Sequence, residues 1–205
     1  MTHAGMATDP GQTEGAPSSA PRRRRARRQL AALAVTAQLA LVLAACSQPE
    51  EKRSFTVPPD LCGTPVPTAA VDAVLPRSGK TLKTHAPSRE VGGTHCRVVV
   101  DGTTVFSAIS EWQVDPSVRK AARINPYIDL DEHTSADGTY MWSGKGGVRR
   151  IPCPVAAKDH PDRNQLFVRV LIYNDKFSDA DAAKKLLLAY AKSVADSAAC
   201  KGLAS

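Results

Sequence analysis

Hydrophobic and polar positions alternate along several segments of the chain and predict β-strands there. The clearest is NQLFVRVLIYN (164–174), where apolar residues fall on both faces, as is typical of a central strand. HCRVVVDG (95–102) and TTVFSAISEWQV (103–114) predict a hairpin that turns at Asp101-Gly102. Two shorter candidates complete the set: TYMW (139–142) and GVRRIPCPV (147–155).

A helical pattern dominates the C-terminal end of the chain. Segment 178–200 opens with Ser178-Asp179-Ala180-Asp181, which resembles a capping box with acids in the first turn. Its apolar side chains recur at helical spacing, at Ala183, Leu187, Tyr190 and Val194. Shorter helices are predicted at 68–76 and 115–124. Hairpin strands with separate helices predict an α+β fold, a mostly antiparallel sheet with a long C-terminal helix packed on it.

The first 45 residues have a different pattern. Residues 1–21 show no apolar periodicity, and RRRRARR (22–28) then meets the apolar run LAALAVTAQLALVLAAC (30–46). A basic stretch, an apolar stretch and small residues before a cleavage position are typical of a secretory signal peptide. The alternative is a retained transmembrane helix, but this run would span only roughly 25 Å against a hydrocarbon core of ~30 Å.

The end of the apolar run carries a motif for lipid attachment. Leu43-Ala44-Ala45-Cys46 resembles the lipobox of bacterial lipoproteins. The resemblance implies cleavage between Ala45 and Cys46 and transfer of a diacylglyceryl group to the Cys46 thiol. Because stable anchoring takes two or more acyl chains such as palmitate, the modified cysteine would hold the protein at the membrane.

These features predict how the chain is organised and where it is located. We expect a signal peptide with a basic N-terminal region over 1–45, a lipidated tether over 46–60 and a single domain over 61–205. The protein would be attached to the cell membrane on its extracytoplasmic face. Arg27-Arg28-Gln29-Leu30 partly resembles a twin-arginine export signal, so the general secretory and twin-arginine routes both stay open.

Much of the positive net charge of the chain lies in the predicted signal peptide. The full chain has 27 basic and 20 acidic residues, a net charge of +7. Six of the arginines lie within 22–28, and the chain from Cys46 onward keeps only 21 basic against 18 acidic residues. A nucleic-acid binder would carry a concentrated basic face with interleaved aromatic residues. Aromatic residues make up 5% of the chain, and we predict no nucleic-acid partner.

The cysteine count agrees with export. The chain has five cysteines, and lipidation of Cys46 leaves four, at Cys62, Cys96, Cys153 and Cys200. An even number in an exported protein predicts disulfides rather than free thiols. Three pairings stay open, of which we favour Cys62–Cys96 and Cys153–Cys200, one bridge in each half. The close C-x-x-C pairs of a zinc site are missing, so no metal site is predicted.

Short motifs that suggest catalysis or ligand binding each have a simpler interpretation. Gly79-Lys80-Thr81 ends like a phosphate-binding loop, but Val74 occupies the position of the required first glycine. The acidic loop 129–138 departs from the EF-hand pattern, although a looser calcium site stays an alternative. The chain has no G-x-S-x-G motif, while a triad assembled from distant residues stays open. We expect no cofactor, and we expect Trp112 and Trp142 to be packing residues.

Several cysteine and proline motifs together resemble a known family. The motifs PDLCGTP, VLP, HCRVVVDG and IPCP, followed by the alanine-rich helix ending in Cys200, are similar to small actinobacterial lipoproteins close to domain-of-unknown-function family 3558. The resemblance covers most of residues 58–200 and implies no catalytic residues. We therefore predict a non-enzymatic binding or interaction module whose partner is an envelope protein or a small ligand. The alternatives are a lipid-anchored hydrolase and an accessory subunit of an integral membrane partner.

Overall fold

A computed structural model of the chain describes residues 52–87, 93–157 and 161–202. Ala45 and Cys46, with the predicted signal peptide, lie outside the described residues. The strands within these ranges are β1 (Asp60–Leu61), β2 (Thr64–Pro65), β3 (Leu82–His85), β4 (Thr94–Val100), β5 (Thr103–Gln113), β6 (His133–Thr134), β7 (Tyr140–Ser143), β8 (Gly146–Ile151) and β9 (Gln165–Ile172). The helices are α1 (Thr68–Asp72), α2 (Val118–Ala122), α3 (Ala180–Ala195) and α4 (Ala198–Lys201).

One seven-stranded sheet organises the described part of the chain. Its strand order is β3-β4-β5-β9-β8-β7-β6, and all of its neighbouring strands are antiparallel. Strand β9 lies between β5 and β8, so the prediction of a central strand at 164–174 is confirmed. The predicted β4–β5 hairpin is also confirmed, and it turns at Asp101 and Gly102, which both have positive φ (48° and 84°) as a type I′ turn requires.

One face of the sheet, here called the inner face, packs against α3. Asp179 caps the start of this helix, because its carboxylate accepts a hydrogen bond from the Ala182 amide at 2.9 Å. The inner core includes Val98, Phe106, Ala108, Val168, Val170, Leu186, Leu187 and Tyr190. An α+β fold with a mostly antiparallel sheet and a C-terminal helix is therefore confirmed.

The C-terminal helix is shorter than the 178–200 pattern predicts. Helix α3 has 16 residues and ends at Ala195, and α4 forms a separate turn of four residues. Ser197 interrupts the helix because its hydroxyl donates to the Val194 carbonyl and accepts from the Cys200 amide, which caps α4. Helices α1 and α2 are likewise shorter than predicted, and Ser117 caps α2 through the Lys120 amide.

On the opposite face, the outer face, the helices of the described ranges cover one half. Helix α2 packs on β7 and β8. The second core formed there contains Val118, Ala121, Ala122, Leu130, Met141, Val148, Phe167 and Leu171. On β4 the outer face instead presents the half-exposed His95 and the exposed Arg97. The two halves of the outer face therefore differ in polarity.

Both disulfides have the favoured pairing. Cys62–Cys96 ties the β1–β2 turn to β4, and Cys153–Cys200 ties the segment after β8 to α4. The Cα atoms lie 5.6 and 5.1 Å apart, within the range that a disulfide spans. The predicted pairing is confirmed.

The folded domain begins earlier than the sequence suggests. The Arg53 guanidinium donates to the carbonyls of Leu75 and Pro76 and forms an ion pair with Asp72. The Ser54 amide donates to the Gly79 carbonyl at 2.9 Å, and Phe55 packs against the inner core. Residues 53–60, expected to be part of the tether, therefore dock on the domain. The polar, proline-containing composition of this segment predicts a tether. The contacts that dock it could not be predicted, because their partners lie some twenty residues further along the chain.

Candidate functional site

Alternating side chains of β4 and β5 form a largely polar layer on the half of the outer face that α2 does not cover. In an antiparallel pair, every second residue of each strand points to the same side. Arg97 of β4 shares this side with five neighbours that we call the open face: His95, Ser107, Ile109, Glu111 and Gln113. None of these residues belongs to a sequence motif that predicts a site.

An ion pair between two strands anchors the open face. The Arg169 guanidinium on β9 lies 2.7 Å from the Glu111 carboxylate, and the two side chains are 7% and 23% exposed. The Gln113 amide also donates to Glu111, at 2.6 Å. A charge buried to this extent needs a partner, since an unpaired one is strongly destabilising. The pair therefore holds the Glu111 carboxylate in one position at the surface.

A histidine and a serine lie within hydrogen-bonding distance on the same face. The distance from His95 Nε2 to Ser107 Oγ is 3.2 Å. A hydrolytic nucleophile needs such a base, but it must also be reached by its substrate. Ser107 is only 1% exposed, so its hydroxyl is closed to solvent. In this conformation the pair supports a structural hydrogen bond rather than an attack on a substrate.

A small cavity of 210 Å³ opens where β4 begins and β5 ends. Its lining residues are Gly93, Thr94, His95, Ile109, Ser110, Glu111, Trp112 and Arg163. Ligand pockets for drug-sized molecules usually measure about 300–1,000 Å³. The cavity therefore suits one side chain or a similarly small polar group of a partner.

Two hydroxyl groups in the lining of this cavity, those of Thr94 and Ser110, connect it to a buried tyrosine. Thr94 Oγ1 and Ser110 Oγ lie 2.8 Å apart, and the Tyr190 hydroxyl lies 3.4 Å from Thr94 Oγ1. Burial raises the pKa of Tyr190, so its hydroxyl stays protonated and serves as a neutral hydrogen-bonding group. Ser110 faces away from His95, because successive residues of a strand point to opposite faces. The cavity therefore does not assemble a Ser110–His95 catalytic pair.

The Gly79-Lys80-Thr81 motif has a structural role. The Asp101 carboxylate accepts hydrogen bonds from the Lys80 amide at 2.9 Å and from the Thr81 amide at 2.8 Å. These backbone donors hold the pKa of Asp101 below its usual value. The position where a phosphate would bind in a phosphate-binding loop is thus filled by the chain's own carboxylate.

The acidic loop 129–138 uses its carboxylates for internal contacts. Asp131 lies 2.9 Å from the Arg119 guanidinium and 3.0 Å from that of Arg123. Asp137 accepts hydrogen bonds from the Ser135 hydroxyl at 2.6 Å and the Thr139 hydroxyl at 2.9 Å, which lower its pKa from 3.8 to about 2. Throughout the described ranges, no three His, Cys, Asp or Glu residues are grouped as a metal site requires.

Both tryptophans pack as predicted. Trp112 is 7% exposed, and Trp142 is half-buried beside Tyr140, with 5.3 Å between the ring centroids. The Lys184 ammonium on α3 lies 4.4 Å from the centre of the Trp142 ring, close enough for a cation–π contact. This contact joins α3 to β7, so Trp142 serves the packing of the inner face.

Comparison with sequence-family models, with curated proteins and with solved structures finds no match for this chain. Within residues 52–87, 93–157 and 161–202, no helix has the length and apolar character needed to span a membrane.

Proposed function

We propose that the protein is a lipid-anchored module on the extracytoplasmic face of the cell membrane that binds an envelope protein through its open face. The observation that carries this proposal is the use of the five cysteines. The structure pairs Cys62 with Cys96 and Cys153 with Cys200. Cys46 is left over, and it stands at the end of the lipobox-like sequence.

The two disulfides support a location of the domain in an oxidising compartment. Such bonds persist outside the cytoplasm and are rare inside it. A similarity to actinobacterial lipoproteins of the family 3558 type, based on the cysteine and proline motifs, agrees with that location. Lipid on Cys46 would then account for both the odd cysteine and the apolar run before it.

The shape of the open face favours binding over catalysis. The Glu111 carboxylate is fixed by Arg169, and the adjacent cavity accepts one side chain. Rigid hydrogen-bonding groups beside a small cavity are features of a surface that binds a protein partner, where an anchoring side chain enters a pocket. We therefore place the partner's anchoring side chain between His95 and Trp112.

Fatty-acid labelling tests the anchor. Cells that express the wild-type chain should incorporate labelled palmitate, and the Cys46→Ala variant should lose the label and accumulate as precursor or leave the membrane fraction. Ser47→Ala is the matched control and should label normally. Undiminished labelling of Cys46→Ala would refute the lipid anchor.

Site-directed photo-cross-linking tests the open face. A photoreactive residue at Gln113, on the open face, should give a discrete cross-linked product in intact cells. The same residue at Lys185, exposed on α3, is the control and should give none. Equal products from both positions would contradict binding through the open face.

An accessory subunit is a second candidate, because several apolar side chains are exposed around α2. Val114, Ile124 and Tyr127 are 61%, 52% and 93% exposed. A contiguous exposed apolar patch is typical of a protein-docking surface, and these three side chains flank α2 in the sequence. A cross-linker at Tyr127 that captures an integral membrane protein, while Gln113 captures nothing, would favour this candidate over the open face.

A hydrolase is favoured only by the contact between His95 and Ser107. A fluorophosphonate probe reports an activated serine directly. We expect no labelling of Ser107, because its hydroxyl is buried. Labelling that disappears in Ser107→Ala would overturn the binding proposal in favour of the hydrolase.

A further inference from the structure

The early start of the folded domain shortens the predicted tether. With Arg53 docked, only residues 46–52 remain between a lipid on Cys46 and the domain. A fully extended chain of this length reaches at most about 25 Å. An anchored domain would therefore be held next to the membrane, and the surface around Arg53 would face the lipid.

Basic side chains are concentrated where the chain joins the domain. Ser54 pairs with Gly79, which places Arg53 beside the segment that leads into the edge strand β3. Sequence 77–85, RSGKTLKTH, contains no acidic residue. Arg77, Lys83 and His85 from this segment, together with Arg97 on β4, are exposed, and we call them the basic strip.

The register places three of these side chains on one side of the sheet. His85 is the direct cross-strand partner of Arg97, and Lys83 pairs with Val99, two residues further along β4. None of Arg77, Lys83 and Arg97 forms an ion pair with another described residue. The strip therefore presents positive charge that the described part of the protein does not neutralise.

The described acids that flank segment 77–85 in the sequence, Asp72 and Asp101, are both engaged in other contacts. Asp101 accepts from the Lys80 and Thr81 amides, and Asp72 pairs with Arg53. Asp175 and Asp179 belong to the connection from β9 to α3, and Asp181 lies in the first turn of α3. In the predicted tether, Glu50 and Glu51 are followed by Lys52 and Arg53, so this stretch is close to neutral.

We propose that the basic strip lies on anionic phospholipid head groups of the membrane that holds the anchor. This inference rests on the proposed lipid anchor. The domain then stands on its β3 edge. Each Lys or Arg close to an anionic leaflet strengthens binding by about fivefold, so several of them suffice to orient a domain that is already tethered.

Another reason for a basic edge strand is protection against strand pairing. Lysine on an edge strand discourages addition of a further strand. That function would explain Lys83 but not Arg77 or Arg97, which lie outside β3. A lipid surface accounts for all of them together, because it is extended and negatively charged.

Lysine accessibility on vesicles tests the inference. The full-length lipidated protein is reconstituted in phosphatidylcholine vesicles, with or without about 30 mol% phosphatidylglycerol. It is then treated with an uncharged reagent that modifies lysine amines. Mass spectrometry then gives the modification of Lys83 relative to Lys185. We expect this ratio to fall at least about threefold on the anionic vesicles and to recover in about 0.5 M NaCl, because salt screens the attraction.

Two double variants make the test specific. Arg77→Glu with Arg97→Glu should abolish the protection of Lys83. Lys192→Glu with Lys201→Glu changes the charge equally at the α3–α4 end and should leave it intact. An equal Lys83 ratio on both vesicle types would overturn the inference, as would protection seen only in intact cells, where a protein or an anionic wall polymer would be the occupant.

The outcome separates this inference from the proposed anchor. A chain whose Cys46 carries acyl groups but whose Lys83 stays reactive on anionic vesicles refutes only the lipid contact. A chain without acyl groups on Cys46 refutes the anchor and, with it, the basis of this inference.

Discussion

The two faces of the sheet differ in composition and role, although the same strands form both of them. On β9, Val168 and Val170 point to the inner face and are fully buried under α3, while Arg169 between them points to the outer face. On β5, Ala108 packs inside while Glu111 reaches the open face. Because alternate residues of one strand face opposite sides, one side can carry the apolar core while the other holds fixed polar groups.

We expect the inner face to contribute more to the stability of the folded domain than the open face does. Its core contains large side chains of low exposure, including Phe106, Leu186 and Tyr190, each 0% exposed. The open face instead holds an ion pair, which is weak support for stability even when it is well formed. We infer that a well-packed inner face allows β5 and β9 to tolerate charged residues on their other side.

The largest expected effect comes from a substitution that leaves a cavity in the core of the inner face. Leu186→Ala should lower the free energy of unfolding by about 3 kcal/mol, since it removes buried methyl groups and leaves a cavity. Chemical denaturation measures the change. Ile109→Ala, at a half-exposed position of the outer face, is the control and should cost less than half as much. Equal losses would show that the two faces contribute alike.

A smaller effect is expected from breaking the ion pair of the open face. Glu111→Gln should lower the free energy of unfolding by about 2 kcal/mol, because Arg169 would keep its charge without its partner. The partial exposure of Glu111 makes this less than for a fully buried pair. Combining Glu111→Gln with Arg169→Met should recover most of the loss. A double variant no more stable than Glu111→Gln alone would contradict this account.

The smallest effect concerns the loop before β7. The pKa of Asp137 is lowered to about 2 by its hydrogen bonds to Ser135 and Thr139. Its contribution to stability is therefore present above pH 4 and is lost as the pH falls towards 2. Asp137→Asn should flatten the pH dependence of the melting temperature in that window and change little at pH 7. An unchanged acid profile would refute this role.

Sequence patterns located the elements with strong local signals. The central strand, the β4–β5 hairpin and α3 were predictable because their periodicity or turn residues lie within a few positions of one another. The disulfide pairing also agreed with the favoured choice. The short strands β1, β2, β3 and β6 were not predicted, since two to four residues carry too little periodicity and are held by their neighbours.

The sequence by itself determined the lipobox-like motif at Cys46, the even set of cysteines in the domain and the α+β class, all of which are local or compositional. Only the tertiary structure decided that β9 lies between β5 and β8, and hence that Arg169 meets Glu111. It also decided that Arg53 docks beside β3, which shortens the predicted tether. These contacts join residues that are far apart in the chain, and no local pattern records which distant partner a charged side chain will meet.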